Sequence, residues 1–106
     1  MKVRNFIAMT AALSVSAAAS AADNGASLFT KSGCDTCHSI DKRIVGPALR
    51  EIAEKYRGDN EALAMLEKKV RKGGAGTWGS MPMPPVSQSV SDENIRTMIK
   101  WVLSLK

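Results

Sequence analysis

Cys34-Asp35-Thr36-Cys37-His38 is the stretch whose residue types and spacing can do chemistry. On a helical turn two thiols three residues apart fall on one face, spaced to add to the two vinyl groups of a haem. His38, next in line, can swing its imidazole under the iron as the proximal ligand. The cysteine and histidine types are set by bonding, whereas Asp35 and Thr36 act as spacers.

Three other chemistries compete for the same residues. A thioredoxin-like pair follows a strand inside a βαβ unit, and no strand-like alternation precedes Cys34. A structural zinc site needs four ligands, but the chain holds two cysteines and one histidine, so a carboxylate or a second chain would have to complete it. A plain disulfide is sterically conceivable and leaves His38 unexplained. Covalent haem attachment uses all three residues.

The elements that must position this motif lie in a chain of 106 residues, enough for one small domain. Residues 1–22 read as a cleaved secretory signal peptide. Lys2 and Arg4 precede the apolar run Phe6 to Val15, and Ser20 and Ala22 stand at the cleavage positions. The run is too short for a membrane span, so no stable membrane insertion is expected. The mature domain, residues 23–106, is then expected to be exported from the cytoplasm. Without Lys2 and Arg4 the fifteen basic residues become thirteen, against ten acidic ones, a net charge near +3. Haem propionates would bring that towards neutral, and no aromatic-basic interleaving supports nucleic-acid binding. So small a domain buries a modest core and usually needs a staple, which a covalently held apolar cofactor would supply.

Periodicity and punctuation predict four short helices. Asp23 or Asn24 caps the first, which carries Leu28 and Phe29 inward and ends at Gly33. A polar loop, 39–46, leads to Gly46-Pro47 and a helix over 48–56 with Leu49, Ile52, Ala53 and Tyr56 at helical spacing. Asp59 or Asn60 caps the third, with Glu61 in its first turn, an apolar stripe of Ala62, Leu63, Leu66 and Val70, and cations crowding its last turn. Gly73-Gly74 stops it, and a long loop without regular structure runs to Val90. There Pro82, Pro84 and Pro85 impose extended backbone around Met81 and Met83, a way to hold a thioether at a fixed place. Ser91 caps the last helix, whose Ile95, Met98, Ile99, Val102 and Leu103 form its buried face.

Taken together, Cys34–His38, Val45-Gly46-Pro47, Trp78-Gly79, Met81-Pro-Met-Pro-Pro85 and Lys100-Trp-Val-Leu-Ser104 closely resemble the short bacterial class I cytochromes c, periplasmic monohaem carriers of the denitrification type. The resemblance covers essentially the whole mature chain. It implies an all-α fold of about four short helices around one covalently attached haem c, with the N- and C-terminal helices crossing. It implies His38 and Met83 as the axial iron ligands, with Met81 the runner-up, and the carbonyl of Pro47 as partner of the His38 ring. Trp78 matches a tryptophan that donates to a haem propionate. Lys69 stands where relatives carry an arginine near the propionates, a point charge in place of a bidentate fork. The chain is two residues longer than the common pattern after Pro85. Gln88 is the candidate for an amide that hydrogen-bonds the methionine sulfur.

The implied function is one-electron transfer by a six-coordinate His/Met haem. With both axial positions filled, iron has no open site, and no enzyme is expected. An enzyme or gas sensor would leave Met83 off the iron, and a peroxidase would want polar acid-base residues over the open face. Redox proteins are the implied partners of a monomer: a membrane cytochrome complex, an oxidase, a nitrite reductase or a peroxidase. Docking is expected at the exposed cofactor edge, through an apolar patch of Val45, Met81 and Pro84 with Lys31, Lys42 and Arg43 as a basic rim.

Overall fold

A computed structural model describes Thr10 and residues 20–106. Apart from Thr10 and Ser20 to Ala22, the expected signal peptide lies outside the described residues. Helix α1 spans Ser20–Lys31 and is followed by a 3-10 turn at Cys34–Thr36. Helices α2 (Leu49–Lys55) and α3 (Ala62–Lys72) come next, then strands β1 (Gly74–Gly76) and β2 (Gly79–Met83), then α4 (Asp92–Ser104). Among the described residues no helix is long and apolar enough to cross a membrane.

Helix α4 is the element on which α1, α2 and α3 all pack. Its start is secured by Ser91, whose Oγ accepts from the backbone N–H of Asn94 at 3.1 Å, a cap worth about 1 kcal/mol. Its buried residues Ile95, Met98, Ile99 and Val102 join Phe29 and Leu49 in one cluster. Helices α1 and α4 approach closely at Gly25. A Cβ there would overlap Trp101 Cβ, lie 2.8 Å from Trp101 Cγ and 3.1 Å from the Thr97 carbonyl oxygen. Glycine lets the backbone of α1 rest on the indole, and Phe29, one turn on, packs its ring 5.5 Å from that of Trp101.

Three expectations are corrected. Helix α1 begins at Ser20, ahead of Asp23 and Asn24; Ala21 and Ala22 are strong helix formers, so in this chain nothing stops the helix there. Glu61 is the N-cap residue of α3 and makes no side-chain cap bond. Asp59 orders the turn before it, its Oδ1 accepting from Glu61 N–H at 2.9 Å. The segment after Gly73 is not without regular structure, because β1 and β2 pair antiparallel as a hairpin, Gly74 opposite Met83 and Gly76 opposite Gly79. The prolines extend β2 as expected, and glycines close the pairing. Gly76 and Gly79 take φ of 125° and 126° on either side of Thr77-Trp78, a region only glycine visits freely.

Candidate functional site

The 3-10 turn places Cys34 and Cys37 one turn apart, and at three residues per turn positions i and i+3 stack on one another. Gly33, at φ 80°, breaks α1 and aims the turn. The backbone N–H of His38 donates to the Cys34 carbonyl at 3.0 Å, so the imidazole leaves the same turn as both thiols. The thiols are free and half-buried. Burial, with Asp35 adding to it, pushes the Cys34 thiol above its usual range. A thiol-redox nucleophile needs the opposite shift. Among the described residues no group of three His, Cys, Asp or Glu is arranged to hold a metal ion, and a zinc site needs four donors.

The ring of His38 is fixed from two sides. Its Nδ1–H donates to the Pro47 carbonyl at 2.8 Å, which sets the tautomer and leaves Nε2 with a lone pair for a metal. Gly46 lies close against the ring, and its own N–H donates to the Cys37 carbonyl at 2.7 Å. The loop between is tied down where Leu49 and Arg50 N–H donate to the carbonyls of Ser39 (2.9 Å) and Ile40 (3.1 Å). Glu51 Oε2 accepts from Ala48 N–H at 3.0 Å, closing the start of α2 just after Pro47.

Cys34, Cys37 and His38 line one side of a cleft that holds about 1150 Å³, counting the space open to solvent. Phe29, Leu49, Ile95, Met98, Ile99 and Val102 line its floor. These six are also the buried core cluster of the fold. Core and cleft are therefore one surface, and an apolar occupant would complete both. The hairpin forms the opposite wall, bringing Trp78, Met81 and Met83 to the cleft. Met81 is 68% exposed, whereas Met83 is half-buried.

Gly73 makes the hairpin's placement possible. A Cβ on it would overlap the Met83 carbonyl oxygen and lie 2.8 Å from Pro85 N. The chain beyond is held by Val86 N–H donating to Val70 O at 3.1 Å. Arg71 donates to the carbonyls of Val90 (2.7 Å) and Ser87 (3.3 Å) and to Asp92 Oδ1 (2.7 Å).

Among the other expected site residues, Pro47, Lys69 and Trp78 all line the cleft. Trp78 sits at the hairpin tip, its carbonyl accepting from Arg43 Nη1 at 3.3 Å. The Arg43 guanidinium and Lys55 Nζ stand 5.9 Å and 5.7 Å from its ring centroid, each such contact worth about 0.5–1 kcal/mol when exposed. Gln88 is exposed and does not line the cleft. Gly25, Gly46, Gly73 and Arg71 were not identifiable as site-building residues from sequence, since each acts on groups that only the fold brings near. The Gly46-Pro47 pair was at least a visible breaker.

The family model for cytochrome c matches residues 22–106. Cytochrome c-551 of Pseudomonas aeruginosa is 46% identical over 79 residues, 74% of this chain and 74% of that protein. Cytochrome c-552 of Hydrogenobacter thermophilus is 43% identical over 79 residues, 74% of this chain and 79% of its own length. The crystal structure of cytochrome c552 from Nitrosomonas europaea superposes with a TM-score of 0.72 at 41% identity, covering 76% of this chain and 99% of that one.

Proposed function

This chain belongs to the cytochrome c family, with small bacterial class I cytochromes as its relatives, and from that premise we propose that it is a periplasmic carrier of single electrons whose haem iron is held by His38 and Met83. Membership brings one haem c, attached covalently, and electron transfer with redox protein partners. When bound, the haem supplies the one-electron Fe(III)/Fe(II) couple.

The observation that carries the reading is the identity of core and cleft: six buried side chains are also the wall of an apolar cleft edged by two thiols and an imidazole. Cys34 and Cys37 are placed to form the thioethers. His38 offers Nε2, and the Pro47 carbonyl increases the basicity of that nitrogen through the bond to Nδ1–H. Met83 offers a thioether from the opposite wall on backbone stiffened by Pro82, Pro84 and Pro85. Its burial relative to Met81 favours it as the ligand. A His/Met pair raises the potential relative to two nitrogen ligands. Lys69 and Trp78 are the candidates to meet the propionates.

Among the described residues, the titratable ones lining the cleft are Cys34, Cys37, His38 and Lys69. With the thiols and imidazole bonded, no carboxylate or second imidazole is left in the cleft for acid-base work, which supports a carrier over an enzyme. Val45, 53% exposed, and Met81 stand with Pro84 at the cleft mouth as an apolar docking patch. Among the described residues no ion pair engages Lys31 or Lys42, which leaves them to steer partners, whereas Arg43 is drawn to Trp78 and lies 3.8 Å from Glu51. The partner is a membrane cytochrome complex, an oxidase, a nitrite reductase or a peroxidase. Carbon monoxide added to the reduced protein tests the ligation: an unchanged spectrum is expected, and ready binding would indicate an open iron position and sink the carrier reading.

A further inference from the structure

We infer that the outward side of α3 is a second docking face, shaped for an acidic protein surface and separate from the apolar mouth of the cleft. This deepens the electron-carrier reading and rests on it. Met65, Lys68, Lys69 and Lys72 recur along α3 at steps of three, one and three, which puts them on one face of the helix. Met65 is 43% exposed, and Lys68 and Lys72 are exposed. With Tyr56 and Trp78 they line a hollow of about 650 Å³, counting space open to solvent.

Among the described residues no carboxylate lines that hollow. The single acid of α3, Glu67, is turned to α4, where Arg96 Nε donates to it at 2.7 Å. Arg71 is likewise drawn away, to the 87–90 segment and Asp92. Among the described residues no ion pair engages Lys68 or Lys72, whereas Lys69 also lines the cleft and is kept for a haem propionate. Lys55 adds a fourth cation, its Nζ 5.8 Å from the Tyr56 ring centroid and 5.7 Å from that of Trp78. The helix dipole favours cations anywhere around the last turn. It does not ask that they share a face with an exposed methionine and two aromatic rings. Charge of one sign around an apolar floor is the pattern of a steered protein contact. A protruding Asp or Glu side chain can enter a hollow, which a planar lipid surface cannot.

The position matters for electron transfer. Leu66, Lys69, Thr77 and Trp78 line both this hollow and the haem cleft. The wall between them is one residue thick, so a partner seated there reaches the cofactor from a side the cleft mouth does not offer.

The test is an NMR titration of the mature, haem-loaded protein with poly-L-glutamate at low salt. Amide shifts are expected at Tyr56, Met65, Lys68, Lys72 and Trp78, fading as salt screens the charges. Lys68→Glu with Lys72→Glu should weaken binding on the order of tenfold, while Lys100→Glu with Lys106→Glu, the same change of charge elsewhere, should weaken it much less. Equal losses in the two double variants, or shifts centred on Val45 and Lys42, would overturn the assignment. So would binding to anionic vesicles that is lost in Lys68→Glu/Lys72→Glu while polyglutamate binding persists. The titration does not depend on the axial ligands, so its failure leaves the carrier reading standing, and failure of that reading shows in the haem spectrum instead.

Discussion

Gly46 lies close against the imidazole of His38: a Cβ on it would stand 2.7 Å from Cε1 and 3.0 Å from Nδ1. One of the two atoms it would crowd, Nδ1, is the donor to Pro47. The glycine is needed for space, because its φ lies outside the left-handed range.

Gly46→Ala should therefore push the ring off its hydrogen bond to Pro47. Overpacking of this kind costs about 1–3 kcal/mol, read as a lower denaturation midpoint of the haem-loaded protein. A rise in reduction potential should accompany it, because an imidazole that has lost its acceptor is a weaker donor and stabilises Fe(III) less. A variant with wild-type stability and potential would show that the loop yields without moving His38.

Gly25→Ala should loosen the α1–α4 crossing by a similar ~1–3 kcal/mol, since its Cβ meets the first two side-chain carbons of Trp101. In a Trp101→Ala background, which removes Cγ and the ring, the loss from Gly25→Ala should be smaller. Additive losses in the double-mutant cycle would mean that the two positions do not press on each other.

These two glycines mark where the sequence stops being readable. The chemistry of Cys34, Cys37 and His38 is local, carried by neighbours in the chain, and the stripes of α2, α3 and α4 follow from a period of 3.6 residues. Gly25 and Gly46 act on Trp101 and His38, and nothing in either local stretch reveals those contacts. The hairpin was hidden for a related reason: its pairing depends on glycines at positive φ, while the prolines of β2 read as a loop. Gln88 was placed by likeness to relatives at a point where this chain carries two extra residues, and it stands exposed outside the cleft.

Arg71→Ala should release the 87–90 segment. Two of its bonds go to backbone carbonyls, whereas the Asp92 partner is 91% exposed and adds little. A loss of about 1–2 kcal/mol is expected, with faster hydrogen exchange near Val90. Unchanged exchange there would assign the anchoring to Val86 and Val70 alone.

Attachment is read by mass. Protein from the periplasm should start near Asp23 and carry one haem, with neither thiol open to alkylation. Cys34→Ala with Cys37→Ala should give a poorly folded chain, because the six core residues then keep one side open to water. Free thiols at both positions in a stable exported protein would count against covalent attachment.

The most direct measurement is the far-red sulfur-to-iron absorption of the oxidised protein in two variants. Met83→Ala should abolish the band, lower the potential and admit cyanide, while Met81→Ala, at a far more exposed position, should keep the band. A band that survives Met83→Ala and disappears in Met81→Ala would contradict the ligand assignment, and its absence from the unmodified protein would contradict the His/Met carrier itself.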